Sequence, residues 1–396
     1  MDFTKPFKII PRVQNFSWGC HSLDCYVAKL SGSTDRIQHY AELWYGAHPS
    51  LPSIALIDNN EHLLDTLIRK AGDQLLGENI ISRFGQTLPF LFKVLSIGHP
   101  LSIQAHPDKK LAEQLHKKYP QHYPDNNHKP EMAIAITPCE LLYGFRSAEE
   151  IKTNMQVVPE LGDLLKSRLA EEIFSSTEEE VFIRIAYSTL LTTSPSAIRE
   201  YSHRLYARLD RQETCSPEES WILKLKPLYI DGDVGLFCFY LHNLCNLLPG
   251  EAIFIEPNTP HAYLTGELLE CMANSDNTIR AGLTNKFIDI ETVTKNLLFK
   301  RNRPKILKAL KNDGDHSFSI YRTPAEEFRV ECLLNAASEV GNNQSLCLIF
   351  CLNGSCLIQS NEFETRISSG EALVIPSAIT SYRIQGSNSL IYRISV

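Results

Sequence analysis

The chain has 396 residues, 43% of them hydrophobic and 21% charged, with a formal net charge of −7. That length exceeds one ordinary core, so two or three domains are expected. The mildly acidic balance lacks the basic footprint of a nucleic-acid binder but leaves room for a small basic pocket that takes one phosphate; the most apolar run, Val234 to Leu241, is too short to span a membrane.

The opening MDFTKPFKII has an acidic second residue and no long apolar stretch, so it does not read as a secretory signal. Residues 1 to about 60 read as β-rich, with short apolar runs at Phe7 to Ile10 and Ser53 to Ile57 and a turn at Trp18-Gly19. The aromatic and acidic segment Ala41 to Pro49 is a candidate pocket wall or a packed β-corner. A helix is predicted over His62 to Lys70, with Leu63, Leu64, Leu67 and Ile68 on one face.

Leu88 to Leu95 is a nearly continuous apolar run broken by Lys93, the pattern of a buried strand. Leu101 to His106 then alternates, so that Ser102, Gln104 and His106 share one face of an extended strand. Such a polar row is costly inside a core unless each group finds a partner. A metal with a polar ligand would supply partners, and a half-exposed edge strand is the alternative. Pro107-Asp108 opens a helix over Lys109 to Tyr119, whose basic residues form a solvated face. The polar loop Tyr123 to Glu131 brings His128, Lys129 and Glu131 to the mouth of a strand over Met132 to Ile136. It is either the entry point of a further metal ligand or a hydrophilic connection.

From Ser147 the composition changes. Hydroxyl residues followed three positions later by an acid, at Ser147–Glu150, Thr177–Glu180 and Ser216–Glu219, mark helix starts, and Ile198, Tyr201, Leu205 and Leu209 form an apolar stripe. At Leu248 the β pattern returns, and the run LLPGEAIFIEPNTPHAYLTGELLECM places His261 after a Pro-Asn-Thr-Pro turn. Residues 368–384, SSGEALVIPSAITSYRI, repeat the Gly-Glu-Ala turn, the apolar strand and the proline turn, with Thr380 or Ser381 in place of His261.

The expected fold is therefore mainly β with an α insert: two jelly-roll β-barrels, of which the first could hold a metal, plus an inserted helical subdomain. The first barrel would take residues 1–146 and 247–310, the helical insert 147–246, and a metal-free second barrel 311–396. The cysteines number 11, an odd count with no CxxC pair, which points to a reducing compartment, the cytoplasm by default. Cys347 and Cys351, about 13 Å apart on a straight strand, are small core residues and not a disulfide.

One β domain would thus gather Gln104, His106, Glu131 and His261. Two imidazoles, a carboxylate and an amide oxygen without a thiolate suit zinc as a Lewis acid with open positions, though iron or manganese fits the same donors. Downstream, residues 270–289 crowd Glu270, Asp276, Arg280 and Lys286 into a Gly- and Asn-rich stretch that also reads as a charged surface loop.

The stretches AELWYGAHPSLPS, LPFLFKVLSIGHPLSIQAHPDKKLAEQLH, DNNHKPEMAIAI and PGEAIFIEPNTPHAYLTGELLECMANSDNTIRAGLTNKFIDI, in that order, resemble type I mannose-6-phosphate isomerase. The likeness covers residues 1 to about 145 and 245 to 295, while the helical block and the last barrel match mainly in placement. It implies a zinc-dependent cupin enzyme of carbohydrate metabolism and GDP-mannose biosynthesis that interconverts mannose 6-phosphate and fructose 6-phosphate. It also implies one Zn2+ per chain on Gln104, His106, Glu131 and His261, with the essential arginine at Arg280. The partner expected is a small-molecule sugar phosphate, with no nucleic acid or membrane, and the chain is expected to be a monomer. Phe16, Tyr45, Ala47 and Leu51 depart from the family pattern and bear on the pocket wall alone.

Aldose–ketose isomerisation through an enediolate needs a base and positive charge beside the developing oxyanion. Arginine holds its proton too tightly to be the base, so Arg280 would act electrostatically. Glu270, Asp276 and His128 are the candidate bases, Glu270 first because it can face the pocket of His261 and Tyr263. Ser102, Lys109, Lys129 and Lys286, with Lys93 in reserve, are candidates for holding the sugar phosphate. The competing classes are a non-enzymatic sugar-binding cupin with a structural metal and a cupin oxygenase with iron. Against the structural-metal reading stands Gln104, a weak ligand that leaves the metal acidic.

Overall fold

A strand with no solvent-facing side must lie between two cores, and all eight residues of Phe90–Ile97 are buried. The computed structural model describes residues 3–166, 168–170, 178–311, 318–341 and 343–396. Among these, two eleven-stranded sheets carry the fold. In the first, Phe90–Ile97 lies between Glu42–Gly46 and the long strand His261–Ala273. The first residues of that long strand pair with Cys139–Phe145 and, at His261, with Ile103–Ala105. Its second half pairs with Phe90–Ile97 and Glu131–Ala135. One strand therefore serves both halves of the sheet, and the crossover is at Gly266. There φ is +104° and a Cβ would meet Cys139 Sγ at 2.5 Å, so a side chain is excluded.

Three cores result. Leu95, Ala133, Leu141, Tyr143, Ile253 and Tyr263 fill the inside of the first barrel. Phe90, Phe92 and Val94 point the other way, toward Leu348, Phe350 and Val374 of the second barrel. Phe350 sits 5.2 Å from the Phe92 ring and 5.0 Å from that of Tyr45. The third core lies between the helices and the sheet half that carries Ile103, Ala105, Ala262 and Ile279. The alternation of Phe90–Ile97 thus separates two apolar environments instead of core from solvent, which is why its only polar residues are Lys93 and Ser96.

The helix starts at Ser147 and Ser216 are both complete capping boxes. Thr177 lies outside the described residues, and the helix it was expected to open runs over Glu179–Leu191. Ile198, Leu205 and Leu209 bury their side chains, and Tyr201 packs at the edge of the same core. All eleven cysteines are unpaired, Cys347 and Cys351 among them in the second barrel. No helix among the described residues is long and apolar enough to cross a membrane.

Three expectations need correction. His62 and Leu63 are not helical: Asn60–Leu63 is a strand paired with Ile54–Ile57, and the helix spans Leu64–Leu75. Asp58 and Asn59, with φ of 50° and 62°, make the two-residue hairpin turn that favours Asn and Asp, and Leu63 is left 46% exposed. The β pattern resumes before residue 246, because His242–Leu247 pairs with Cys139–Phe145. Finally, sheet membership crosses the sequence blocks: Phe7–Ile10 pairs with Ala372–Ile375 and carries Ile54–Ile57 and Asn60–Leu63 into the second sheet. Those strands cover an edge that would otherwise present open hydrogen-bonding groups.

The shared core between the barrels sets a first prediction. Phe350→Ala should lower the unfolding free energy by about 3–5 kcal/mol, read from urea denaturation. A loss below about 1 kcal/mol would show that the two barrels do not depend on this contact.

Candidate metal centre

Glu131 and His261 open their strands and His106 directly follows one, while Gln104 is the middle residue of Ile103–Ala105. Gln104, half-buried, is the register partner of His261 on one side and of Arg280 on the other. His106 follows that strand directly. Asp108 then caps the next helix, accepting from Leu111 N at 2.9 Å, while its other oxygen accepts from Asn258 Nδ2 at 2.9 Å. Asn258 has φ of 60°, and its N–H donates to the His106 carbonyl at 2.7 Å. The Pro-Asn-Thr-Pro turn that delivers His261 is thereby tied to the segment that delivers His106. Glu131 opens its strand opposite Ile255 and Met272.

His106, Glu131 and His261 converge with exposures of 1%, 1% and 0%. His106 Nε2 lies 3.2 Å from Glu131 Oε2, and His261 Nε2 lies 3.0 Å from Oε1. The Nδ1 atoms meet carbonyl oxygens, Asn277 O at 2.9 Å and Thr259 O at 3.0 Å. A carbonyl only accepts, so each Nδ1 carries the proton and each Nε2 turns a lone pair toward the carboxylate. Glu131 Oε2 and His261 Nε2 are buried and, despite these short separations, lack hydrogen-bond geometry. Lone pairs aimed at one another across 3 Å repel unless a cation lies among them, so the donor set fits a divalent metal.

Burial, then the Lys129 charge, brings His106 down to about 4, so the ring is neutral and able to ligate. Burial works to raise the Glu131 carboxyl, yet Lys129 and His106 hold it well below its ordinary value. Lys129 Nζ stands 3.3 Å from Glu131 Oε2 and 3.4 Å from His106 Nε2, and the Tyr263 hydroxyl donates to Glu131 Oε1 at 3.2 Å.

The other predicted residues divide. Glu270 is 4% exposed on the same inward face as Glu131, two strand positions from Met272. Its Oε2 lies 2.9 Å from Lys93 Nζ, which also reaches Glu42 at 3.4 Å and the Trp44 ring at 5.1 Å. Burial raises Glu270 above the ordinary carboxylate range, and the two carboxylates hold the proton on Lys93 against burial. Lys93 is thus occupied by carboxylates and not placed as a phosphate donor. Glu42 and Trp44 were missed as individual residues, although both lie in the segment read as a pocket wall. Their spacing of two, opposite Leu95 and Lys93, was the available signal. Tyr45 faces outward, its hydroxyl donating to Gly370 O at 2.8 Å, so its departure from the family pattern does not touch the pocket.

Arg280 is half-buried, lowered by burial, and among the described residues forms no ion pair with a carboxylate. Lys286 is exposed and lowered by burial and by the Arg280 charge, which puts the two cations in one field. Ser102 is half-buried before Ile103. Lys109 donates to Asn127 Oδ1 at 3.0 Å on the surface. The two other candidate bases have partners of their own: Asp276 is exposed and lies 3.5 Å from His48, and His128 is bound to Glu327 at 2.5 Å.

Two family models match the chain: phosphomannose isomerase type I, catalytic domain, at residues 6–148, and mannose-6-phosphate isomerase, cupin domain, at residues 321–394. Mannose-6-phosphate isomerase of Homo sapiens is 40% identical over 344 residues, 82% of this chain and 81% of that protein. Mannose-6-phosphate isomerase 1 of Arabidopsis thaliana is 37% identical over 404 residues, 97% and 92% of the two. Among solved structures, a mutant of phosphomannose isomerase from Salmonella typhimurium matches with a TM-score of 0.88 at 30% identity, covering 98% of this chain and 99% of that one. A zinc-bound mannose 6-phosphate isomerase matches with a TM-score of 0.86 at 31% identity and the same coverage.

The geometry predicts that His261→Ala and Glu131→Ala each abolish retention of a divalent cation, measured by atomic emission on the purified protein. Ser381→Ala, at the corresponding place in the second barrel, should leave one cation per chain. Two cations per chain, or retention in the His261 variant, would contradict the assignment.

Proposed function

The chain belongs to the type I phosphomannose isomerase family, and from that premise we propose that it interconverts mannose 6-phosphate and fructose 6-phosphate by proton transfer through an enediolate. The observation that carries this reading is the pair of unprotonated imidazole nitrogens facing one buried carboxylate, with a second buried carboxylate, Glu270, on the same inner face.

His106, Glu131 and His261, with Gln104 as a fourth ligand, would hold zinc, which when bound polarises the sugar carbonyl as a Lewis acid. The protein's own groups then have separate tasks. Arg280, free of a carboxylate partner among the described residues, supplies fixed positive charge to the sugar phosphate or to the developing oxyanion. Lys129 and Lys286, with Ser102 and Lys109 at the rim, complete the field for a dianion. Glu270 takes the proton from carbon 2 of the aldose and returns it to carbon 1, while the hydroxyl proton on oxygen 2 passes to oxygen 1. A carboxyl raised by burial is a stronger base than an exposed one, and Lys93 fixes its orientation. The placements of Asp276 and His128 support Glu270 over either of them.

We place the enzyme in the cytoplasm as a monomer feeding GDP-mannose biosynthesis. The eleven unpaired thiols support a reducing compartment.

A coupled assay converting mannose 6-phosphate to fructose 6-phosphate tests the activity, and absence of turnover in the zinc-loaded protein would refute it. Arg280→Ala should lower kcat/KM by about 10²–10³-fold, and Arg280→Lys by less, with cation content unchanged in both. Equal losses would indicate a bidentate role that lysine cannot reproduce. In deuterated water the product should acquire deuterium at carbon 1 of the ketose. Glu270→Gln should abolish both turnover and label while the cation stays bound. Full turnover without label at any time would sink the enediolate route, and label surviving in the Glu270 variant would move the base elsewhere.

A further inference from the structure

The helical block meets the first sheet at two glycines. A Cβ on Gly235 would lie 2.6 Å from Leu283 N, and one on Gly282 would lie 2.8 Å from Gly235 Cα. Two backbones this close leave no room for side chains between them, and a single carboxylate bridges them instead. Asp233 Oδ1 accepts from Gly235 N at 2.6 Å and from Leu283 N at 2.7 Å.

The backbone on the sheet side needs such a hold. Leu283 has φ of 50°, the left-handed region that a residue with a Cβ rarely adopts, and its side chain is buried at 3% exposure. Its strand, Ile279–Gly282, pairs with Ile103–Ala105 on one side only, with a register irregularity between Arg280 and Gly282. Arg280 lies three residues before Leu283. No ion pair with a carboxylate among the described residues fixes its direction, so the course of its backbone must do so.

We propose that Asp233 is a positioning residue for Arg280: the helical block, through this one carboxylate, fixes the turn after the Arg280 strand and hence where the guanidinium stands over the sugar phosphate. The proposal rests on the reading that Arg280 acts on the substrate. It gives the helical block a task in the reaction beyond covering the sheet.

A double-mutant cycle tests it, with kcat/KM, cation content and thermal midpoint measured for each variant. Asp233→Ala should lower kcat/KM by about 10–100-fold with one cation still bound, and should lower it no further in the Arg280→Ala background. Asp233→Asn, whose amide oxygen can accept both N–H groups, should recover most of the loss. Gly235→Ala, whose Cβ would press on both Leu283 N and Asp233 Oδ1 while keeping the carboxylate, should reproduce the loss, and it keeps the test open if Asp233→Ala does not fold. An undiminished kcat/KM in Asp233→Ala and Gly235→Ala overturns the proposal, and so does an equal further loss in the Arg280→Ala background. If Arg280→Ala by itself leaves kcat/KM intact, the role of Arg280 fails, and the proposal falls with it for that separate reason.

Discussion

The Glu131 carboxylate faces two imidazole nitrogens that carry no proton, and much of the surrounding architecture serves to keep those three groups together. Burying such a set is expensive, since each group loses water and the lone pairs oppose one another. The cost is tolerable because rigid elements hold the groups and because each imidazole is oriented through its other nitrogen. That orientation reaches outward into the loops. The carbonyl that holds His106 belongs to Asn277, whose amide donates to Asp125 O at 2.7 Å and to Asn127 O at 2.9 Å. Asp125 also accepts from Ser275 Oγ at 2.8 Å and from Asp276 N at 2.8 Å. The polar loop before Glu131 and the Asn-rich stretch before Arg280 are therefore one hydrogen-bonded unit around a ligand.

Charge inside the first barrel follows a consistent logic. Glu42, Glu131 and Glu270 face Lys93 and Lys129, so the carboxylates exceed the ammonium groups by one charge, and a bound divalent cation reverses that sign. With Arg280 opposite Gln104 on the adjoining strand, a bound divalent cation would make this region locally positive within an overall acidic protein. Lys93 shows why residue type alone misleads. A lysine near a phosphate enzyme's site suggests phosphate binding, yet two carboxylates and an indole ring already surround this one.

The same barrel is buttressed on two outer faces. The second barrel covers one through Phe350 and its neighbours, and His128–Glu327 ties the loop before Glu131 to that side. The helices cover the other and reach the Arg280 strand through Asp233. The site thus draws its rigidity from all three blocks of the chain, although the proposed ligands come from the first barrel alone.

Much of this was legible in the sequence, because it depends on spacing along one strand or turn. The apolar run from Leu88 to Leu95, the polar row ending in His106, the Pro-Asn-Thr-Pro turn and the capping boxes at Ser147 and Ser216 are local patterns with local causes. The four candidate ligands and the degenerate second copy could be gathered from them. The rest lay in contacts between residues far apart in the chain. No local pattern shows that Phe7–Ile10 closes the edge of a sheet more than 350 residues away, that His128 is taken up by Glu327, or that Lys93 is shared by Glu42 and Glu270. Nor does it show that Asp233 reaches across to Leu283. A sequence determines which side chains share a face of one element; which charge meets which across elements is decided only when the sheets close, because a buried ion pair depends on a few ångströms of register between segments that the chain itself does not connect.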